Sequence, residues 1–321
     1  MRIVAALGGN AFLKRGEPAT LETQRYHVRR AARALARLAA DHTLIITHGN
    51  GPQVGLLACQ AAEAGGAPYP LDVLGAQTEG MIGYLLEQEL GNALGTCNVA
   101  TLLTRTEVRP DDPAFRKPTK FIGPAYTREQ AGQIASKRDW HMAADGQCWR
   151  RVVASPEPIN IVELGAIQHL QAGGFIVICA GGGGIPVVRT ADGEFMGVEC
   201  VIDKDLVAAQ LAGRIGADCL LLLTDVPAVF DEWGTAQSRR ILAAHPDELA
   251  KYAFPAGSMG PKVEAARRFA LHTGGRAHIG ALEDAAALLA GRGGTCVSTD
   301  VRGLFFDEPL AHDATIRKIS A

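Results

Sequence analysis

Apolar residues along this chain fall into short continuous runs separated by longer amphipathic stretches. Ile3 to Leu7, Thr43 to Thr47 and Phe175 to Cys179 are such runs, rich in β-branched types. They read as buried strands. Each stops at glycine: Gly8-Gly9-Asn10, then His48-Gly49-Asn50-Gly51-Pro52, then Gly181 to Gly184. Thr23 to Ala40 places Val28, Ala32, Leu35 and Leu38 at helical spacing with arginines on the other faces. A second helix follows the Gly49 loop to about Ala64. The unit of strand, glycine loop and helix predicts an α/β fold. Its sheet is parallel, and the C-terminal strand ends share one crevice.

The same pattern extends along the chain. Leu71 to Leu90 reads as a helix containing Gly80 and Gly83. Each glycine costs about 1 kcal/mol relative to alanine, which predicts close packing against a neighbour or ligand. Val99 to Thr104, Cys219 to Thr224, Ala277 to Ile279 and Thr295 to Val297 read as strands. Pro158 to Ala172, Asp205 to Ile215, Pro246 to Tyr252, Val263 to Leu271 and Leu282 to Leu289 read as helices. The segment from Lys14 to Glu22 reads as a polar loop, and the tail from Asp300 to Ala321 fits no unit.

Between Arg109 and Arg151 the period fades. Pro110, Pro113, Pro118 and Pro124 punctuate a basic stretch that includes Lys117, Lys120, Arg150 and Arg151. Phe115, Phe121, Tyr126, Trp140 and Trp149 supply apolar anchors. This reads as an ordered insertion serving as a lid or binding loop.

Composition narrows the class. The 321 residues are 47% hydrophobic and 21% charged, enough for a sizeable core. A net charge of −2 gives no reason to expect a nucleic-acid partner. Seven cysteines without a CxxC pair fit a reduced, cytoplasmic protein and argue against structural zinc. No run is long and apolar enough to span a membrane.

The chemistry concentrates at the glycine-rich turns. Gly181 to Gly184 lets backbone amides approach an anion with no Cβ in the way. Lys204 follows between Asp203 and Asp205, and Lys262 lies at a helix start after Gly257-Ser258-Met259-Gly260. Lysines beside such turns reach phosphate oxygens as point charges. Neither GxGxxG nor GxxxxGK[ST] is present. His48 reads as a structural histidine at a strand end. The set matches the needs of phosphoryl transfer, where amides, lysines and Mg²⁺ stabilise charge on the transferred group.

Together AALGGNAF (5–12), HGNGPQVG (48–55), GMIGY (80–84), KFIGPAY (120–126), WRRVV (149–153), GGGGIPV (181–187), VIDKDL (201–206), LTDV (223–226) and SMGPKVEA (258–265) resemble the carbamate kinases of the amino acid kinase superfamily. The resemblance runs in order over about residues 1–298. It implies a three-layer αβα sandwich around an open, mainly parallel eight-stranded sheet. Residues 1–205 would form the small-substrate lobe, 109–151 a protruding lid, 206–298 the nucleotide lobe and 299–321 a tail of unassigned role. The implied reaction is reversible transfer between ATP and carbamate with Mg²⁺. In the arginine metabolism of fermenting cells such enzymes usually make ATP from carbamoyl phosphate and ADP. The implied assembly is a homodimer, with no nucleic-acid or membrane partner.

By the resemblance, Gly8, Gly9 and Asn10 offer amides to the phosphoryl group, and Gly49, Asn50 and Gly51 wall the small-substrate pocket. Lys120 reaches in from the lid. Lys204 bridges the phosphates, with Asp203 and Asp205 orienting it, and Lys262 serves the nucleotide side. Gly181, Gly182, Thr224, Asp225, Val226, Met259 and Gly260 lie by the nucleotide. The chain departs from the family pattern at Phe121 and Ala125, before Trp149, and at Glu79, where an amide is more usual. Two other readings stay open. A kinase of an acidic or amino-acid substrate would need a carboxylate-binding arginine in the N-terminal lobe, and the only nearby ones are in the lid or on the amphipathic helix, which disfavours it. A non-catalytic nucleotide or metabolite sensor would have no need of both Lys204 and Lys262.

Overall fold

The computed structural model describes residues 1–307 except 14–16, 19, 64–68, 96, 139, 236 and 256. The Lys14 loop, the helix end at Ala64 and the tail from Glu308 therefore lie wholly or partly outside the described residues. The chain opens with β1 (Arg2–Leu7), α1 (Leu21–Ala39), β2 (Thr43–His48), α2 (Gly51–Glu63) and α3 (Leu71–Leu94). β3 (Val99–Leu102) and β4 (Arg105–Val108) lead into the insertion. That holds β5 (Lys120–Tyr126), α4 (Arg128–Arg138), β6 (Met142–Asp145) and β7 (Cys148–Val153). The chain returns through β8 (Pro158–Ile161), α5 (Leu164–Ala172), β9 (Ile176–Cys179), β10 (Ile185–Arg189) and β11 (Phe195–Gly197). Next come α6 (Lys204–Arg214), β12 (Cys219–Thr224), β13 (Val229–Asp231), β14 (Arg239–Ala244), α7 (Pro246–Leu249) and α8 (Met259–Thr273). β15 (Arg276–Ala281), α9 (Ala285–Leu289), β16 (Thr295–Val297) and β17 (Leu304–Phe306) complete the described chain.

The central sheet has the order β13-β14-β16-β15-β12-β1-β2-β9-β3, with β17 also on β14. From β15 to β3 every neighbouring pair is parallel. The three-residue strands β13 and β17 are antiparallel additions beside β14. They widen the expected eight strands to ten. Strand alternation makes the three layers. Ile3, Ala5 and Leu7 of β1 face α1, α3 and α9, packing with Leu35, Leu86 and Leu288. Val4 and Ala6 face the other way, onto the layer of α5, α6 and α8 that supplies Ile167, Leu211 and Phe269.

The short strands are where the periodicity misleads. Val99 to Thr104 is not one strand: it ends at Leu102, and β4 starts a second sheet, β11-β10-β4-β8. Pro158 to Ala172 is not one helix. Its first four residues are β8, an edge strand on β4, where a leading proline sacrifices no ladder bond. β14 went unrecognised because its arginines mask the buried Ile241 and Ala244. The tail does contribute a unit. β17 pairs with β14, Arg239 stacks on Phe306 at 4.0 Å, and Arg240 meets Asp307 at 2.6 Å. In α3, Gly83 meets its expectation, since an added Cβ would lie 2.3 Å from Cγ2 of Thr101. Gly80 does not, its nearest neighbour being Leu103 at 4.0 Å. Among the described residues no helix is long and apolar enough to cross a membrane.

The insertion is an antiparallel sheet, β5-β7-β6, carrying α4. Arg150 donates to the carbonyl of Gly123 at 3.0 Å, and Arg151 stacks on Trp140 at 4.1 Å. These basic residues hold the lid together. β1 lies between β2 and β12, so the chain leaves it in one direction and returns on its other side much later. That switch point opens a crevice at the C-terminal ends of β12, β1, β2 and β9.

Candidate active site

Four loops line the crevice. The Gly8 N–H donates to Leu223 O and the Gly49 N–H to Leu7 O, both at 2.9 Å, carrying each ladder one residue past its strand. The loops then touch backbone to backbone. A Cβ on Gly49 would lie 2.7 Å from the Gly9 nitrogen. One on Gly182, already at φ +68°, would lie 2.1 Å from Nδ2 of Asn50. Only glycine permits this approach. The Asn50 amide is held from behind, donating to the Thr78 hydroxyl at 2.8 Å. On the other side Asn10 donates to Asp225 Oδ2 at 2.8 Å, and Thr224 donates to Oδ1 at 3.1 Å.

The charged cluster grows from the start of α6. Asp203 caps the helix, its Oδ1 accepting the N–H of Asp205 at 2.9 Å. Its Oδ2 accepts from Lys120 of the lid at 2.6 Å. Asp203 therefore binds Lys120 and does not orient Lys204 directly, because Lys204 turns toward Asp205. Asp205 holds both remaining lysines: Oδ1 accepts from Lys204 and Oδ2 from Lys262 at 3.0 Å. Burial opposes ionisation of Asp205, yet the two ammonium groups hold its carboxyl far below the usual carboxylate range. Burial lowers the Lys204 ammonium, with Asp205 opposing. Burial also acts to lower Lys262, but Asp205 outweighs it and Lys262 is raised. Two buried cations on one carboxylate leave a positive charge that an incoming phosphate group neutralises.

The cleft has a volume of about 340 Å³. Its wall includes Gly8, Gly9, Asn10, Gly49, Asn50, Gly51, Lys120, Gly182, Asp203, Lys204, Asp205, Thr224, Asp225, Val226, Met259 and Lys262. Two expected residues stand off it. Gly181 lies behind the wall, its N–H donating to Glu79 Oε1 at 2.8 Å. Gly260 packs its N–H on Pro255 O at 2.9 Å, fixing the start of α8. His48 is structural as expected: its Nδ1–H donates to Gly49 O at 3.3 Å, and burial lowers its pKa to about 4.

One end of the cleft is apolar, lined by Ala228, Phe230, Trp233, Phe254, Pro255 and Met259. Phe230 and Trp233 pack with ring centroids 4.8 Å apart, their planes tilted by 58°. Met259 apart, the sequence pattern does not single these out, since they sit in short strands and loops without a period. The usable signal was aromatic residues just after LTDV and just before SMGPK. A polar end of amides and lysines with an aromatic end fits a nucleotide whose phosphates meet a small anion.

Fold and site together define a phosphotransferase. The model of the amino acid kinase family matches residues 1–281. Carbamate kinase of Rhizobium meliloti (strain 1021) is 54% identical over 93% of this chain and 94% of its own length. Carbamate kinase of Escherichia coli (strain K12) is 52% identical over 92% and 99%. The solved carbamate kinase from Giardia lamblia bound to AMP-PNP superposes with a TM-score of 0.84 at 37% identity, covering 92% of this chain and 98% of that one. The chain belongs to the amino acid kinase family and, within it, to the carbamate kinases.

Proposed function

We propose that the protein transfers a phosphoryl group between ATP and carbamate, working toward ATP from carbamoyl phosphate and ADP. The observation that carries this is Asp205 bridging Lys204 and Lys262 beside the amides of the Gly8 and Gly49 loops. A β-phosphate oxygen of ADP attacks phosphorus while the bond to the carbamoyl oxygen breaks. The departing carbamate keeps the electron pair, so the step needs no proton. Gly9 and Asn10 present amides to the moving group, whereas the Gly8 N–H expected to do so is taken by Leu223 O and Gly8 only lines the cleft; Gly49, Asn50 and Gly51 wall the carbamoyl side. Lys204 spans the phosphates, Lys262 meets the nucleotide side, and Lys120 closes over the small substrate. Thr224, Asp225 and Val226 lie along the nucleotide, whose base fits the apolar end. On this reading residues 1–205, with the lid at 109–151, serve the small substrate, and residues 206–298 serve the nucleotide.

Mg²⁺ would neutralise charge on the phosphate oxygens. Among the described residues no cluster of acids, histidines or cysteines forms a metal cage. That fits an ion carried by the nucleotide phosphates, with Asp225 as the carboxylate beside it. A second copy of the chain on the exposed face of Met81, Tyr84 and Leu103 would give the homodimer. No disulfide joins the cysteines among the described residues, in keeping with a cytoplasmic enzyme.

The deciding assay is ATP formation from ADP and Mg²⁺ with carbamoyl phosphate, run beside acetyl phosphate. ATP from carbamoyl phosphate alone is the expected result. A folded, nucleotide-binding protein that makes none would instead take another substrate through its altered lid, or be a sensor.

A further inference from the structure

Glu79 lies on α3 with 1% of its surface exposed. Its two oxygens take two backbone amides from separate loops. Oε1 accepts from Gly181 at 2.8 Å, and Oε2 accepts from Thr104 at 3.2 Å. Gly181 precedes Gly182 of the cleft wall. The Thr104 hydroxyl in turn accepts the N–H of Ala180 at 3.0 Å. Both attachments therefore converge on the turn after β9. The preceding residue, Thr78, holds Asn50 in the facing wall. Two consecutive side chains of one helix thus fix the walls where Gly182 meets Asn50, a contact that puts Gly182 on the small-substrate side and not by the nucleotide as the resemblance implied.

The two amides favour the Glu79 carboxylate, but its other surroundings disfavour a negative charge and outweigh them. Among the described residues no cation forms an ion pair with it. His48, at the end of β2, is kept neutral by burial. Its ring and the Glu79 side chain meet at Gly181, where an added Cβ would lie 2.4 Å from Nε2 and 3.0 Å from Cγ. The Cys179 thiol of β9 is buried and stays protonated, with Glu79 adding to that effect. Glu163, before α5, adds repulsion and is itself paired with Arg105 at 2.7 Å. Burial pushes the Glu79 carboxyl up to about 8.

We propose that Glu79 is a positioning residue: as a neutral acid it holds the Gly181-Gly182 turn against the substrate pocket, and its ionisation places a negative charge behind the anionic substrate and weakens its binding. The proposal rests on the carbamate kinase reading. Glu79→Gln keeps one of the two acceptors and cannot titrate, so it is the informative variant, and Glu79→Leu is the control that removes both acceptors.

The test is kcat/KM for carbamoyl phosphate against pH for wild type, E79Q and E79L, with thermal melting of each across the same range. Wild-type kcat/KM falls about tenfold from pH 7 to 9, mostly through KM. E79Q, which can accept only one of the two amides, is less active than wild type at pH 7 but loses that alkaline fall, whereas E79L is impaired further at every pH. Melting gives a readout independent of turnover. The fold holds the Glu79 proton that the unfolded chain releases above its ordinary value of 4.5. E79Q therefore gains Tm over wild type as pH rises from about 4.5 to about 8, then levels. An E79Q alkaline limb that coincides with that of an active wild type overturns the proposal. Inactive wild type refutes the carbamate kinase reading instead, and a flat Tm difference then refutes the role of Glu79 as well.

Discussion

Gly55 of α2 and Gly123 of the lid strand β5 meet so closely that a Cβ on Gly55 would lie 1.9 Å from the Cα of Gly123. Gly123 sits at φ +74°, inside the irregular stretch where β5 leaves its register with β7. Three residues before it, Lys120 reaches Asp203. The glycine contact therefore sets how closely β5 lies on α2, and with it where the Lys120 ammonium stands.

Gly55→Ala should push β5 off α2. Overpacking of this kind costs about 1–3 kcal/mol. The expected result is a loss of about tenfold or more in kcat/KM for carbamoyl phosphate, with ADP affinity nearly unchanged. Steady-state kinetics beside calorimetric ADP binding checks this. An equal loss in both would mean that α2 supports the nucleotide side as well.

Lys120→Ala removes the lid cation that lines the cleft and leaves Asp203 without its bonded partner. Use of carbamoyl phosphate should fall by about 10²–10³-fold. ADP binding should change little, because Lys204 and Lys262 are held by Asp205 and not by Asp203. Matching losses for the two substrates would remove Lys120 from the role assigned to it.

Much of this site was legible in the sequence because its residues follow strand ends. Gly8, Gly49 and Thr224 each come directly after an apolar run, and a parallel sheet gathers such positions at one edge. What was not legible depends on cross-chain packing. Asp203 and Lys120 are 83 positions apart, and their pairing follows from the lid fold, which has no hydrophobic period. Gly181 belongs to the same glycine run as Gly182, yet it turns to the buried Glu79 while its neighbour faces the cleft. Left-handed backbone at Ala180 and Gly182 makes that division, and a run of identical letters does not disclose it. β8 and β14 were missed because four to six residues with prolines or arginines carry too little pattern to outweigh their neighbours.

Asp205→Asn separates the electrostatic role of Asp205 from its shape. The folded carboxyl lies below its ordinary value of 3.8, so its stabilising contribution is fully present above that pH and is lost progressively as pH falls below it toward the depressed folded value. At pH 7 the variant leaves Lys204 and Lys262 buried without a counter-charge, at a cost of about 3–5 kcal/mol. Near pH 3 the gap to wild type should shrink. Urea denaturation at both values is the check. A gap that stays constant with pH would mean Asp205 acts through hydrogen-bond geometry alone.

Trp233 offers the most direct view of the nucleotide end. It is 43% exposed, packed at a tilt against Phe230 and part of the cleft wall, so a base entering that end must cover it. ADP should change its emission, and Trp233→Ala should abolish the change while weakening ADP by about 1–3 kcal/mol, the scale of a base–aromatic stack. KM for carbamoyl phosphate at saturating ADP should stay near the wild-type value, since the lysine cluster and the Gly49 loop are untouched. Trp140 and Trp149 lie in the lid, and Trp140 is already stacked beneath Arg151. A change that persists in the variant would therefore report lid movement. If ADP affinity also held, the base would have to lie elsewhere, and the apolar end would lose its assignment.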